Sequence, residues 1–165
     1  MLVPAGLADM IPTGEDMEPK RFQMRARRWL KILLVVAGAL SLLALPAVFL
    51  PVSWMDRTHR AIGLGPLPEG SVVEYLARSL SYFYAFFGGL CLLAAADVER
   101  YRGLIVYLAA THLALAALLV WVALSAGLPW YWPAVEAPPA AGFGVAALTL
   151  LRLAGSGSRA RRGGA

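Results

Sequence analysis

The sequence predicts an all-α fold, a four-helix transmembrane bundle with a short interfacial amphipathic helix between spans 1 and 2. Three observations carry that expectation. Apolar residues make up 59% of the 165-residue chain, above the roughly one-half typical of soluble domains. The excess is concentrated in four long runs, and the basic residues sit at the ends of those runs instead of forming a stripe. A mean hydropathy of +0.65 fits the same reading.

Residues 1–28 are polar and basic, carry Pro4, Pro12, Gly14 and Pro19, and show no amphipathic period. They are expected to be a disordered cytoplasmic tail. Met10, Met17 and Met24 offer alternative starts within it. Residues 29–152 form the membrane domain, with spans at about 30–50, 72–96, 104–124 and 134–152. Residues 32–50 hold no charge and at the helical rise cover about 28 Å, close to the hydrocarbon thickness. The run is too long, and too far from the start, for the apolar core of a cleaved signal peptide. Pro46 should kink or help end this first helix and Pro51 should stop it.

Between the first two spans, Ser53 is placed to cap a short helix. Trp54, Met55, Thr58, Ala61 and Ile62 fall on one of its faces, and Asp56, Arg57, His59 and Arg60 mainly on the other. Such a segment suits the headgroup layer. The stretch GLGPLPEG over 63–70 reads as a stiff turn. In the second span, Glu74, Arg78, Ser81, Ala85, Gly88, Gly89, Leu92 and Ala96 share one stripe, and Leu76, Leu80, Phe83, Phe87 and Leu90 the opposite one. Small and polar residues opposite bulky apolar ones predict a bundle face and a lipid face, with close backbone approach at Ala85-x-x-x-Gly89. The third span is interrupted only by His112, at the border of an Ala109, Ala116, Ala123 stripe. The fourth is the weakest, beginning near Pro133 with Glu136 at its mouth and the aromatic anchor Trp130-Tyr131-Trp132 before it. Residues 153–165, rich in Gly, Ser and Arg, are expected to be a second disordered tail.

Orientation follows from the cations. Twelve Lys and Arg residues flank the side holding both termini, against Arg57, Arg60 and Arg78 on the other. That bias places both termini in the cytoplasm, in a multi-pass protein of a bacterial inner membrane. The same distribution argues for anionic lipid over nucleic acid as the partner of the charge.

Candidate functional groups are few. Cys91 stands alone, which excludes an internal disulfide and a Cys-x-x-Cys redox pair. Glu74 and Arg78 are explained by a Ser71-x-x-Glu74 capping box and an i, i+4 ion pair, yet charges inside a span are also functional candidates. His112 suits an interhelical hydrogen bond or, in a sharper reading, a proton relay or quinone contact. With His59 in the outer loop as the only other histidine, a paired haem site is hard to build. Glu74, Arg78, His112, Glu136 and His59 therefore form the candidate polar membrane site. Asp56, Arg57, His59, Glu74, Arg78 and Glu136 are expected to converge at the outer end of the bundle. No cofactor, metal site or catalytic residue is expected.

The segment from Trp54 to Ile105, with GLGPLPEG, VEYLARSLSYFYAFFGG and DVERYRG, resembles a group of small bacterial four-span membrane proteins. The layout is also similar to DoxX-like four-helix membrane proteins. The resemblance implies fold and location and carries no activity. Three function classes remain in order: a non-catalytic structural or accessory subunit, with lipid and other membrane subunits or a second copy as partners; a small oligomeric transporter or channel; and a quinone-linked redox protein using His112 with Tyr82 or Arg78.

Overall fold

A computed structural model describes residues 14–61, 63 and 65–155, and among them there is no strand. The helices are α1 (Gly14–Leu42), α2 (Val52–Ala61), α3 (Ser71–Ala96), α4 (Arg102–Ser125) and α5 (Tyr131–Gly155), with a 3-10 turn at Leu45–Val48. Among the described residues four segments are long and apolar enough to cross a membrane: Lys20–Val48, Ser71–Ala96, Arg102–Ser125 and Tyr131–Gly155. The expected class therefore stands, with the short α2 between spans 1 and 2.

Helix α1 begins earlier than the sequence suggests. Residues 14–28 were expected to belong to a disordered tail, and they are helical. The reason lies in 18–31, which hold mostly strong helix formers, and in an apolar edge obscured by the surrounding charges. Ala26, Leu30 and Leu34 recur every fourth residue and are all buried. The first thirteen residues of that tail lie outside the described residues. At the other end α1 stops at Leu42, four residues before Pro46. Proline at 46 lacks an N–H and its ring clashes with the carbonyl four residues back, so the chain tightens into the 3-10 turn with Pro46 at its start.

The chain divides into two compact units. In the first, residues 32–97, α1 and α3 meet at two glycines. A Cβ placed on Gly88 would stand 2.6 Å from the Gly38 carbonyl oxygen, and one on Gly38 would stand 2.9 Å from that of Gly88. Only hydrogen fits there, so the two backbones touch. The expected Ala85-x-x-x-Gly89 approach is thus shifted by one residue: Gly88 makes the contact, and around Gly89 there is open space. The expected faces of α3 hold in outline. Ala85 and Gly88 are buried with Cys91, Ala94 and Ala95, and Leu76, Leu80 and Phe83 are exposed. Phe87 and Leu90 are half-buried, and Ala96 is exposed.

The second unit holds the chain up to Lys31 and from Val98 onward. Here α5 buries Ala137, Ala140, Gly144, Ala147, Leu151 and Ala154, a strict alternation of three- and four-residue steps. Helix α4 buries Ile105, Leu108, Ala109, Ala116 and Ala123, so the alanine stripe read from the sequence is a packing face. Seven-residue repeats of small side chains bring two helices together along a coiled-coil seam. The approach is tightest at Gly144, where a Cβ would lie 2.7 Å from the Ala109 carbonyl oxygen. Pro138 and Pro139 lie within α5 and deprive the Ala134 and Val135 carbonyls of their helical donors. The helix nevertheless runs to Gly155, through the first three residues of the expected C-terminal tail, whose remainder lies outside the described residues. The Arg102 guanidinium packs against Gly155, and Arg27 of α1 pairs with Glu99.

Gly88→Leu and Gly144→Leu should each destabilise the protein in detergent by about 1–3 kcal/mol, the range for overpacked contacts. Gly89→Ala should leave it unchanged or raise stability by up to about 1 kcal/mol, since helix propensity is all that changes. Thermal unfolding of the three variants checks this, and equal losses at all three positions would contradict the assigned contacts.

Candidate functional site

One end of the first unit is organised by Arg78. It lies seven residues into α3, and its Nε and one terminal nitrogen donate to Glu74 Oε1 at 3.0 and 2.8 Å. The same terminal nitrogen donates to the Leu50 carbonyl at 3.1 Å, and the other donates to the carbonyl of Val48. These carbonyls belong to the stretch where Pro46 and Pro51 interrupt the backbone ladder. Helix ends leave carbonyls without partners, and near hydrocarbon such groups are costly to leave bare. A planar guanidinium with five donors reaches several of them at once. Arg78 therefore ties the end of the first span to the start of the second.

The i, i+4 pair of Glu74 with Arg78 forms as expected, and the capping box does not. Gly70 is the residue before α3, no side-chain cap hydrogen bond is present, and the Glu74 carboxylate is held by Arg78. The Gly70 carbonyl accepts from the Val73 and Glu74 amides, while its φ of 141° suits glycine alone. Ser53 likewise lies within α2 instead of capping it, and the Pro51 carbonyl takes the Trp54 and Met55 amides.

Helix α2 leaves most of its expected apolar face exposed, as suits a helix lying in a headgroup layer. Trp54, Thr58 and Ala61 of that face are exposed and Met55 is half-buried, as are Asp56 and His59 of the other face; Ile62 lies outside the described residues. Asp56 accepts from Arg60 Nε at 2.8 Å and from the Leu67 amide at 2.8 Å. His59 Nδ1 donates to the Gly65 carbonyl at 2.9 Å, which fixes the proton on Nδ1 in the neutral ring. The turn over 65–70 is thereby folded back onto α2. Hydrogen bonds from Arg60 and the Leu67 amide hold the Asp56 carboxyl below the usual carboxylate range, because they favour its charged form.

Between α2 and the start of α3 lies an open cavity of about 490 Å³, lined by Ser53, Asp56, Arg60, Leu67, Glu69 and Glu74 among others. Of the expected outer cluster, Asp56 and Glu74 come together on this cavity. Arg57 is exposed, and His59 is half-buried on the neighbouring turn. Glu136 is exposed on α5 in the other unit, next to Pro133 and Ala137, which are buried.

His112 sits halfway along α4. Its Nδ1 bonds the Leu108 carbonyl at 2.9 Å in its own helix, and its ring packs on Phe143 of α5 with centroids 4.8 Å apart. Across the helices the two rings meet at a tilt of 59°. Tyr82 is exposed, its ring edge-on to Phe83. Among the described residues no three His, Cys, Asp or Glu side chains gather as a metal-holding group. The partners that sequence reasoning missed are backbone groups: the Val48, Leu50 and Gly65 carbonyls and the Leu67 amide. Only the two prolines beside the first pair signalled them.

Comparison with known proteins finds no matching family model, no matching curated protein and no matching solved structure.

Arg78→Leu should lower stability in detergent by about 2–4 kcal/mol, because it strands Glu74 and two carbonyls, and Arg78→Lys should lose less, with the charge kept and the fork lost. Equal melting temperatures for wild type and Arg78→Leu would remove the clamp. A carboxyl with a lowered pKa stabilises its fold above the unfolded value and loses that contribution as pH falls through the folded one. The Leu67 amide NMR signal should therefore titrate with a midpoint below about 3.9, the free aspartate value. A midpoint at or above it would show that Asp56 does not hold the turn.

Proposed function

We propose that this chain is a small multi-pass protein of a bacterial inner membrane, with both termini in the cytoplasm, that serves as a non-catalytic structural or accessory subunit. The observation that carries the reading is the engagement of its polar side chains. Arg78 and His59 hold backbone carbonyls, Asp56 holds a backbone amide and Arg60, and His112 bonds its own helix. Each is engaged in closing or bracing the helical framework, as expected where polarity serves architecture. The inner-membrane location and the orientation rest on the twelve-to-three distribution of cations, and the likeness to DoxX-like proteins belongs to the same proposal through span number and size alone.

Native mass spectrometry of the detergent-solubilised protein should show it in defined stoichiometry with another membrane subunit. A bound quinone, or a haem band in the visible spectrum, would overturn the non-catalytic reading. Reporter fusions provide the second check. A fluorescent protein fused after residue 165 should fold and fluoresce, and the same fusion after Ala61 should stay dark, with the reverse pattern contradicting the orientation.

A further inference from the structure

The N-terminal part of α1 carries a stripe of cations that the described residues leave unanswered. At 100° per residue, Arg21, Arg25 and Arg28 lie on one line, directly opposite the buried edge of Ala26, Leu30 and Leu34. All three are exposed, and among the described residues none forms an ion pair or hydrogen bond. Glu18, the one acid between residues 18 and 31, does not pair with them either. Arg27, on another side of the helix, has its own partner in Glu99. Like charges four residues apart weaken a helix, so this stripe favours an external anion.

Its position specifies the anion. The next residue on the same line is Ile32, exposed, where the uncharged run begins. Trp29 and Phe22, 61% and 56% exposed, flank the stripe. Aromatic rings beside arginines at the mouth of a span are the pattern that settles among lipid headgroups. We propose that Arg21, Arg25 and Arg28 form a binding stripe for anionic phospholipid headgroups, with Trp29 seated beside them at the acyl boundary.

The helical rise grades the three residues. Arg28 lies about 6 Å from Ile32 along the axis and Arg25 about 10 Å, within side-chain reach of a headgroup layer some 5–8 Å deep. Arg21, about 16 Å away, acts through the surface field, which decays over about a Debye length. Phosphate is bridged well by guanidinium forks, so phosphatidylglycerol suffices as a ligand. The inference rests on the membrane reading above and not on the orientation, because lipid adducts are measured in detergent.

The test is native mass spectrometry of the full-length protein titrated with phosphatidylglycerol, and separately with phosphatidylcholine. Wild type should retain phosphatidylglycerol preferentially. The Arg25→Gln and Arg28→Gln variants should each bind it about fivefold more weakly, at the contribution of one basic residue near an anionic surface, and Arg21→Gln less so. Lys20→Gln with Lys31→Gln removes two charges at the same end but on another face of α1, and should leave the affinity within about twofold of wild type. Circular dichroism confirms that each variant folds, and the single substitutions keep the test open should a combined variant not fold. Equal loss in the lysine control, unchanged binding in the arginine variants, or equal retention of the two lipids would overturn the proposal. Displacement of the lipid from wild type by an acidic peptide at lower concentration than by phosphatidylglycerol would overturn it in favour of a protein partner.

Discussion

Hydrocarbon offers a backbone no hydrogen-bond partner, and every feature of this structure answers to that constraint. Helices meet it along their length and fail at their ends. Their sides must present bulky apolar groups to lipid and small ones to each other, because burial of oily surface between helices gains nothing in a solvent that is itself oily. Hence the interior surfaces are rich in alanine and glycine, with Leu30, Leu34, Ile105, Leu108 and Leu151 among them, and much of the leucine, phenylalanine and tryptophan faces outward. Gly38 against Gly88 and Gly144 against the Ala109 carbonyl are where dispersion at close range replaces the hydrophobic effect as the source of cohesion.

Helix ends are where the arginines act. Pro46 stops α1 at Leu42 and Pro51 prevents its resumption, which leaves carbonyls at this end of the helix that Arg78 collects from the next span. Arg102 takes up a comparable position at the last turn of α5, where a cation also suits the helix dipole. At Arg78, a charge that looks functional by its depth is an answer to backbone chemistry. Arg21, Arg25 and Arg28 differ in having no answer among the described residues, and it is this contrast that singles them out.

The number, order and approximate limits of the helices were legible because uncharged runs of this length have few alternatives. So were the alanine face of α4, the lipid face of α3 and the Glu74–Arg78 pair, since each depends on a fixed helical period. What was not legible depended on backbone groups and on single-residue phase. Gly88 and Gly89 differ by 100° and only the partner helix decides between them. Ser71 and Glu74 fit a capping box until a guanidinium competes for the carboxylate. Asp56 and His59 of α2 find their partners in an amide and a carbonyl of the following turn, and no periodicity announces that. The helical start of α1 was obscured by charge, with Ala26 and Leu30 too sparse among arginines to read as an apolar edge.

The dependence of all this on lipid is open to one direct measurement. Cells expressing the chain are lysed, the membranes washed with alkaline carbonate, and the pellet and supernatant separated by ultracentrifugation. The account predicts that the protein stays in the pellet and is released only by detergent. A protein that appears in the supernatant as a monodisperse species without detergent would have found another way to cover its apolar helices, and the account would be wrong.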